Sequence, residues 1–297
     1  MRNTFIKKIT EAAELNPNIV LIVGDLGYSV IEEFQEKFPD RFFNAGISEQ
    51  NMASMAAGLA SEGYHVFIYS IANFPTFRCA EQLRNDVGYH NLPVTVVTVG
   101  GGLSYGNLGY SHHAIQDFGL MRLFPEFVIA SPGDPIETEM CLDYLLNNPG
   151  PSYLRLKKAG EPNYNSESKS LLPGIWNKVN LSMNKKIFLA TSGGLHIAQQ
   201  IIDSNSEFSN FGLYSCPIWG AKYKNLQQSQ IDKFDEIITV EDHLLDCGFG
   251  SWIREAITDS NSQVKIKNKA LSQNVIGKVG SEDFLLALGG FDFKIKS

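Results

Sequence analysis

Along the first half of the chain one hydropathy pattern repeats: a short run of β-branched residues, a turn bearing Gly or Asp, then apolar positions at helical spacing. The runs at 18–23, 65–69, 94–99, 127–130 and 152–156 read as strands, with helical stretches between them. Such alternation builds a mostly parallel sheet covered by helices. At 157–170 the periodicity stops in a polar stretch, which reads as an interdomain linker and places a boundary near residue 165. A second alternation then begins, with strands at 186–191, 211–216 and 236–240, a helix running to about residue 202, and a helix at 251–258 after a Gly-rich turn. The expected fold class is therefore α/β: two three-layer α/β domains of mostly parallel sheet, at 1–165 and 166–297.

Composition removes several alternatives. Of 297 residues 43% are hydrophobic, yet no apolar run approaches the roughly 20 residues of a membrane span. A net charge of −7 without a Lys/Arg cluster leaves no basic face for a nucleic-acid backbone or a membrane surface. The start passes straight into an amphipathic pattern containing Glu11 and Glu14, without the apolar stretch of a signal peptide, so a cytoplasmic location is expected. Cys79, Cys141, Cys216 and Cys247 are far apart and form no C-x-x-C, as expected of reduced, mostly packed thiols rather than a disulfide frame or zinc site.

Candidate chemistry gathers just after predicted strands, where ligands of open α/β sheets collect. In Asn44-Ala45-Gly46-Ile47-Ser48-Glu49-Gln50-Asn51-Met52, Ser48 is a candidate N-cap, and Met52, Met55, Ala56, Leu59 and Ala60 form one apolar helical face. Ala53, Ala56, Ala57, Gly58 and Ala60 leave so little bulk that the helix suits either a tight seam with another subunit or an ordinary core. Glu49, in the first turn, is favoured by the helix dipole whatever its function. Between an apolar strand end and an apolar helix face it could also share a proton with a bound heterocycle. Phe74 and Phe77 either line a site for a ring-shaped ligand or plug the core. A Gly-rich loop from Gly100 leads into His112 and His113, groups able to exchange protons near neutral pH. Its spacing fails the G-x-G-x-x-G pattern, and no carboxylate or Cys stands at metal-ligand spacing from the histidines. Val240-Glu241-Asp242-His243 and the glycines Gly248 and Gly250 read as a strand-to-helix turn, with an anion site at the helix start left open.

Taken in order, Gly46-Ile47-Ser48-Glu49-Gln50-Asn51-Met52, the 74–84 segment and the 111–122 segment resemble the C-terminal section of transketolases, enzymes that use thiamine diphosphate. The resemblance covers nearly the whole chain, and Val240-Glu241-Asp242-His243 with Gly248-Phe249-Gly250 is similar to the signature of the family's C-terminal domain. It implies a pyrimidine-binding domain at 1–165 and a transketolase C-terminal domain at 166–297. By the same resemblance Glu49 and His112 are the catalytic residues. Glu49 would hydrogen-bond the cofactor's aminopyrimidine ring and favour its imino tautomer, and His112 would face the substrate and assist proton transfer. Phe74 would stack on that ring, with Phe77 in the same pocket and Asp25 near the cofactor. Leu108 and Lys158 fall at substrate-binding positions where an acidic residue and an Arg are usual, Gly100 replaces a phosphate-contacting His, and His113 stands where Gln is common. Lys keeps the charge of Arg but loses its bidentate fork. These departures point away from ordinary pentose phosphates and toward a modified or nucleotide-linked sugar.

The family holds diphosphate and Mg²⁺ on a different domain, through Gly-Asp-Gly and a following Asn, whereas this chain has only Gly24-Asp25-Leu26. The resemblance therefore implies half a cofactor site with no metal ligand of its own. A separate N-terminal transketolase subunit would complete it in an α2β2 assembly. The alternatives are the β subunit of a 2-oxo-acid dehydrogenase, a deoxyxylulose-phosphate synthase-like enzyme, and a non-catalytic scaffold subunit; retention of Glu49, Phe74 and His112 argues against the last.

Overall fold

In the computed structural model, which describes residues 1–181 and 184–291, twelve strands among those residues form two sheets. They are β1 (Ile19–Val23), β2 (Phe42–Asn44), β3 (His65–Ile71), β4 (Val94–Val99), β5 (Val128–Ala130), β6 (Ser152–Leu156), β7 (Asn177–Asn180), β8 (Lys186–Ala190), β9 (Gly212–Ser215), β10 (Ile218–Trp219), β11 (Glu236–Leu244) and β12 (Lys265–Leu271). The first sheet has the order β10-β5-β6-β4-β3-β1-β2 and is parallel except for β10 against β5; the second has the order β12-β11-β8-β9-β7 and is parallel except for β7 against β9. This is the expected α/β class. Strands β1, β4 and β6 are buried at every position; β1 reads as an unbroken apolar run, while β4 and β6 also bury Thr95, Thr98, Ser152 and Arg155. Among the described residues no helix is long and apolar enough to cross a membrane.

Helices cover both faces of the first sheet. The helix Arg2–Leu15 buries Phe5, Ile6 and Ile9 against one face, together with Met140 and Leu145 of the helix Pro135–Asn147. The helix Glu49–Ser61 packs Met52, Ala53, Ala56, Ala57 and Ala60 on the other, among Val20, Ile22, Val66 and Ile68. Its buried alanines thus bring it close to the chain's own sheet, while Gly58 of the same helix is exposed. Ser48 occupies the N-cap position, but its side chain makes no capping hydrogen bond.

Two further segments are fixed by specific contacts. The polar stretch after β6 is tied down: the N-terminal amine pairs with Glu161 at 2.9 Å, and Asp134 Oδ2 accepts the backbone N–H groups of Tyr164 and Asn165 at 2.8 and 2.9 Å. The segment expected as a turn from Val240 is strand as far as Leu244, with a register shift between those two residues. There Glu241 accepts the N–H groups of Phe249 and Gly250 at 2.6 and 2.8 Å, so the chain's own carboxyl fills the anion position at that helix start. Burial holds the Glu241 carboxyl far above its ordinary range, at about 8.

The seam between the two sheets is built on Arg155 of β6, which is fully buried. Its Nε donates to Asp117 Oδ2 at 2.7 Å, Nη1 to Ser192 Oγ at 2.6 Å and Asp242 Oδ1 at 2.7 Å, and Nη2 to the Ala114 carbonyl at 2.6 Å. Its guanidinium lies 4.4 Å over the Phe118 ring. A buried cation is tolerable only with such complete pairing. Because Ala114 in turn pairs with Gly102, Arg155 holds the base of the 100–114 loop from below.

Candidate active site at the strand ends

The carboxyl ends of β1, β2, β3, β4 and β6 lead into the segments carrying Asp25, Glu49, Phe74, the 100–114 loop and Lys158. In open parallel sheets this edge is where ligands bind. Glu49 begins its helix only 5% exposed, and its Oε1 accepts from Arg78 Nη1 at 2.8 Å. Arg78 follows the short helix Asn73–Phe77 in helical conformation, four residues after Phe74, which places the two side chains on one face. Its guanidinium carbon sits 4.1 Å over the Phe74 ring. Phe74 meets His112 edge-on, with ring centroids 5.2 Å apart. Glu49, Arg78, Phe74 and His112 are therefore one linked group. Beside it opens a cleft of about 550 Å³ lined by Ile47, Ser48, Glu49, Gln50, Asn51 and Arg78. Burial, with Glu49 close by, pushes the neighbouring Cys79 thiol up to about 12.

The histidine loop is fixed by polar contacts. Asn73 Nδ2 donates to the carbonyls of Ser111 and His113 at 3.2 and 2.9 Å, joining the loop to the Phe74 helix. His112 Nδ1 is 3.0 Å from Ser111 Oγ. Partial burial, then the nearby His113 and Arg78, lower the His112 pKa, so its imidazole remains a proton acceptor near neutral pH. His113 is buried, with Nε2 3.2 Å from the Gly106 carbonyl, and serves the loop's own conformation. Gly100 has φ 84°, and a Cβ there would lie 2.1 Å from Tyr105 Cε2. The Tyr105 ring takes that space, 6.5 Å from the His112 ring and 5.7 Å from Lys158 Nζ.

Three other expected site residues are exposed. Phe77 is 47% exposed and Leu108, on the turn Gly106–Leu108, is 56% exposed. Asp25 is exposed and exchanges hydrogen bonds with Asn44, at 3.1 Å to its backbone N–H and 3.0 Å to its carboxylate. Asn44 Oδ1 also accepts from Gly46 N–H at 2.9 Å, so Asp25 braces the loop that enters the Glu49 helix.

Residues 1–162 match the family description "Transketolase, pyrimidine binding domain", which is more than half of the chain. A protein of Methanocaldococcus jannaschii named as a transketolase C-terminal section is 30% identical over 98% of this chain and 92% of its own length. The chain belongs to the transketolase family. One of the subunits of an apulose-4-phosphate transketolase from Actinobacillus succinogenes is 28% identical over 98% of this chain and 94% of its own. The solved structure of a split-gene transketolase, an inactive β4 tetramer, superposes with a TM-score of 0.83 at 25% identity, covering 99% of this chain and 94% of that one. Within this transketolase fold the roles of Arg78, Asn73 and Tyr105 emerge only from the geometry. The i, i+4 spacing of Phe74 and Arg78 is the one signal in the sequence that points to a shared face.

Proposed function

We propose that this chain is the C-terminal subunit of a two-part, thiamine-diphosphate-dependent transketolase that moves a two-carbon ketol unit from a ketose to an aldose. The observation that carries the reading is a nearly buried carboxylate, Glu49, linked through one cation to an aromatic face, Phe74, and a neutral histidine, His112, at the ligand-binding edge of a parallel sheet. Thiamine diphosphate, when bound, supplies the carbon nucleophile and electron sink that cleavage of a ketose C2–C3 bond requires. Glu49 would hold a proton between its carboxyl and a ring nitrogen, in a setting dry enough to make that hydrogen bond strong. Phe74 would fix the ring's plane by stacking. His112 would accept and return the proton of a substrate hydroxyl.

The residues present fit the pyrimidine end of the cofactor and not its diphosphate end. Mg²⁺ and diphosphate are assigned to an N-terminal partner subunit in an α2β2 assembly, a division that the likeness to a split-gene transketolase supports. The division into a pyrimidine-binding domain at 1–165 and a C-terminal domain at 166–297 belongs to this proposal. So does the substrate class. Leu108, Gly100 with Tyr105, and Lys158 alter the acceptor side of the site, and a relative named for apulose 4-phosphate supports a modified sugar or sugar phosphate. The test mixes the chain with its N-terminal partner, thiamine diphosphate and Mg²⁺, and follows transfer from a donor ketose to a panel of phosphorylated and unphosphorylated aldoses. Activity in the mixture alone supports the reading. Complex formation and cofactor binding without ketol transfer, but with turnover of pyruvate-type donors, overturn it.

A further inference from the structure

One side chain joins the two groups assigned to the cofactor ring. Arg78 Nη1 donates to Glu49 Oε1 at 2.8 Å while the guanidinium carbon lies 4.1 Å over the face of Phe74. A guanidinium is a planar group edged with nitrogen donors that pairs with a carboxylate and stacks face-on against an aromatic ring. An aminopyrimidine bound to the same pair would make the same two contacts, and the two planar groups cannot share one position. We propose that Arg78 is an internal stand-in for the cofactor ring: it pairs with Glu49 and covers Phe74 until the ring enters, and then swings outward. The inference rests on the reading of Glu49 and Phe74 given above.

The surroundings allow this exchange. The Arg78 side chain is 47% exposed and that of Glu49 is 5% exposed, so the cation can leave while the carboxylate stays. Arg78 itself lines the cleft beside Glu49, together with the exposed Ile47 and Asn51, which gives the displaced side chain room. Without a partner Glu49 would be a nearly buried, uncompensated charge, which proteins tolerate poorly. Arg78 therefore keeps the pocket paired at the cost of competing with the ligand. Apparent affinity for such a ligand falls by the fraction of molecules with the site open.

The test uses Arg78→Met, which keeps an unbranched stem, and Arg78→Lys, which keeps charge without the planar fork, each in the full chain assembled with its N-terminal partner. Thiamine diphosphate with Mg²⁺ is titrated by tryptophan fluorescence and its association rate measured by stopped flow. The expected result is binding tighter by about 10-fold and faster association for Arg78→Met, with Arg78→Lys between it and the wild type. Phenylglyoxal labelling, read by mass spectrometry, should modify Arg78 faster in Glu49→Gln than in the wild-type chain, and faster in the complex once cofactor is bound. Equal or weaker binding by Arg78→Met, while Glu49→Gln and Phe74→Ala lose binding, overturns the stand-in and leaves the ring site in place. Wild-type binding by Glu49→Gln and Phe74→Ala overturns the ring site itself, and the stand-in with it.

Discussion

Replacing Arg155 with Met tests whether the seam between the sheets holds the active-site loop. Met preserves much of the stem's volume but removes the charge shared by Asp117 and Asp242 and the donors to Ser192 and the Ala114 carbonyl. Removing one partner of a buried ion pair costs about 3–5 kcal/mol because the remaining charge is uncompensated. A buried carbonyl left without its donor adds about 1–3 kcal/mol. A loss of about 4–8 kcal/mol is therefore expected, a large part of the roughly 5–15 kcal/mol that stabilises a typical domain. Urea unfolding followed by tryptophan fluorescence reads it well, since Trp219 packs edge-on against Phe118 beneath the guanidinium, with centroids 5.1 Å apart. Hydrogen exchange at Gly102 and Ala114, which pair across the loop base, should accelerate more than exchange in β1 or β3. The triple variant Arg155→Met, Asp117→Asn, Asp242→Asn should recover more than half of the loss, because no buried charge is then stranded. A loss below about 1 kcal/mol for the single variant, or a triple variant less stable than it, would refute the reasoning.

Three further outcomes are expected. Glu49→Gln should lower ketol transfer by the reconstituted complex about 10²–10³-fold with the melting temperature of the chain little changed, and undiminished turnover would remove Glu49 from the chemistry. Gly100→Ala should destabilise the chain by about 1–3 kcal/mol and change its acceptor preference, since φ 84° and a 2.1 Å approach to Tyr105 forbid a Cβ; adding Tyr105→Ala should relieve part of the cost, which a thermal-melt double-mutant cycle would detect. Burial pushes His65 down to about 4. The unfolded chain therefore takes up that proton first, and stability is lost as pH falls from about 6.5 toward 4, by about 3 kcal/mol from this residue. Melting curves of His65→Gln across that range should show a shallower acid slope than the wild type, and identical slopes would count against the assignment.

How far the sequence can be read depends on where each element sits. Strands β1, β3, β4, β6, β8 and β11 lie inside their sheets, so most of their positions are buried and apolar and the hydropathy runs mark them. Strands β2, β7, β10 and β12 leave no such mark. Each is at a sheet edge; β10 has two residues, and β12 carries Lys265, Lys267 and Lys269 along its length. Charge on an edge strand discourages pairing with another chain, and it also erases the hydrophobic signal of a strand. The Glu241-Asp242-His243 segment reads as a turn in the sequence because glycines follow it, yet burial between the sheets draws it into β11. At the site, Glu49, Phe74 and His112 stand out through the resemblance to transketolases; their positions after strands alone leave a dipole-favoured carboxylate and a core Phe equally open. The Arg155 cluster is not, since it unites residues from β6, the 114–117 segment, Ser192 and β11 that are single charges or hydroxyls in the sequence.

The same geometry bears on why such a site would be divided between two chains. The ring-binding residues come from loops at one sheet edge, held by contacts internal to the chain: Asn44 to Asp25 and Gly46, Asn73 to the histidine loop, and Arg155 to Ala114. The loops are thus braced within the chain, while the ring position itself is held by Arg78. Lys157 is engaged with Glu282, Arg78 is engaged with Glu49, and Lys158 is poised over the Tyr105 ring. A diphosphate needs several donors or a metal ion to offset its charge. Ile47, 76% exposed, stands beside the nearly buried Glu49 at the mouth of the cleft, an apolar residue placed where a covering surface would gain by burying it. A partner that closed over Ile47 and brought the metal and diphosphate would dry the Glu49 pocket in the same step, coupling assembly of the two chains to activation of the site.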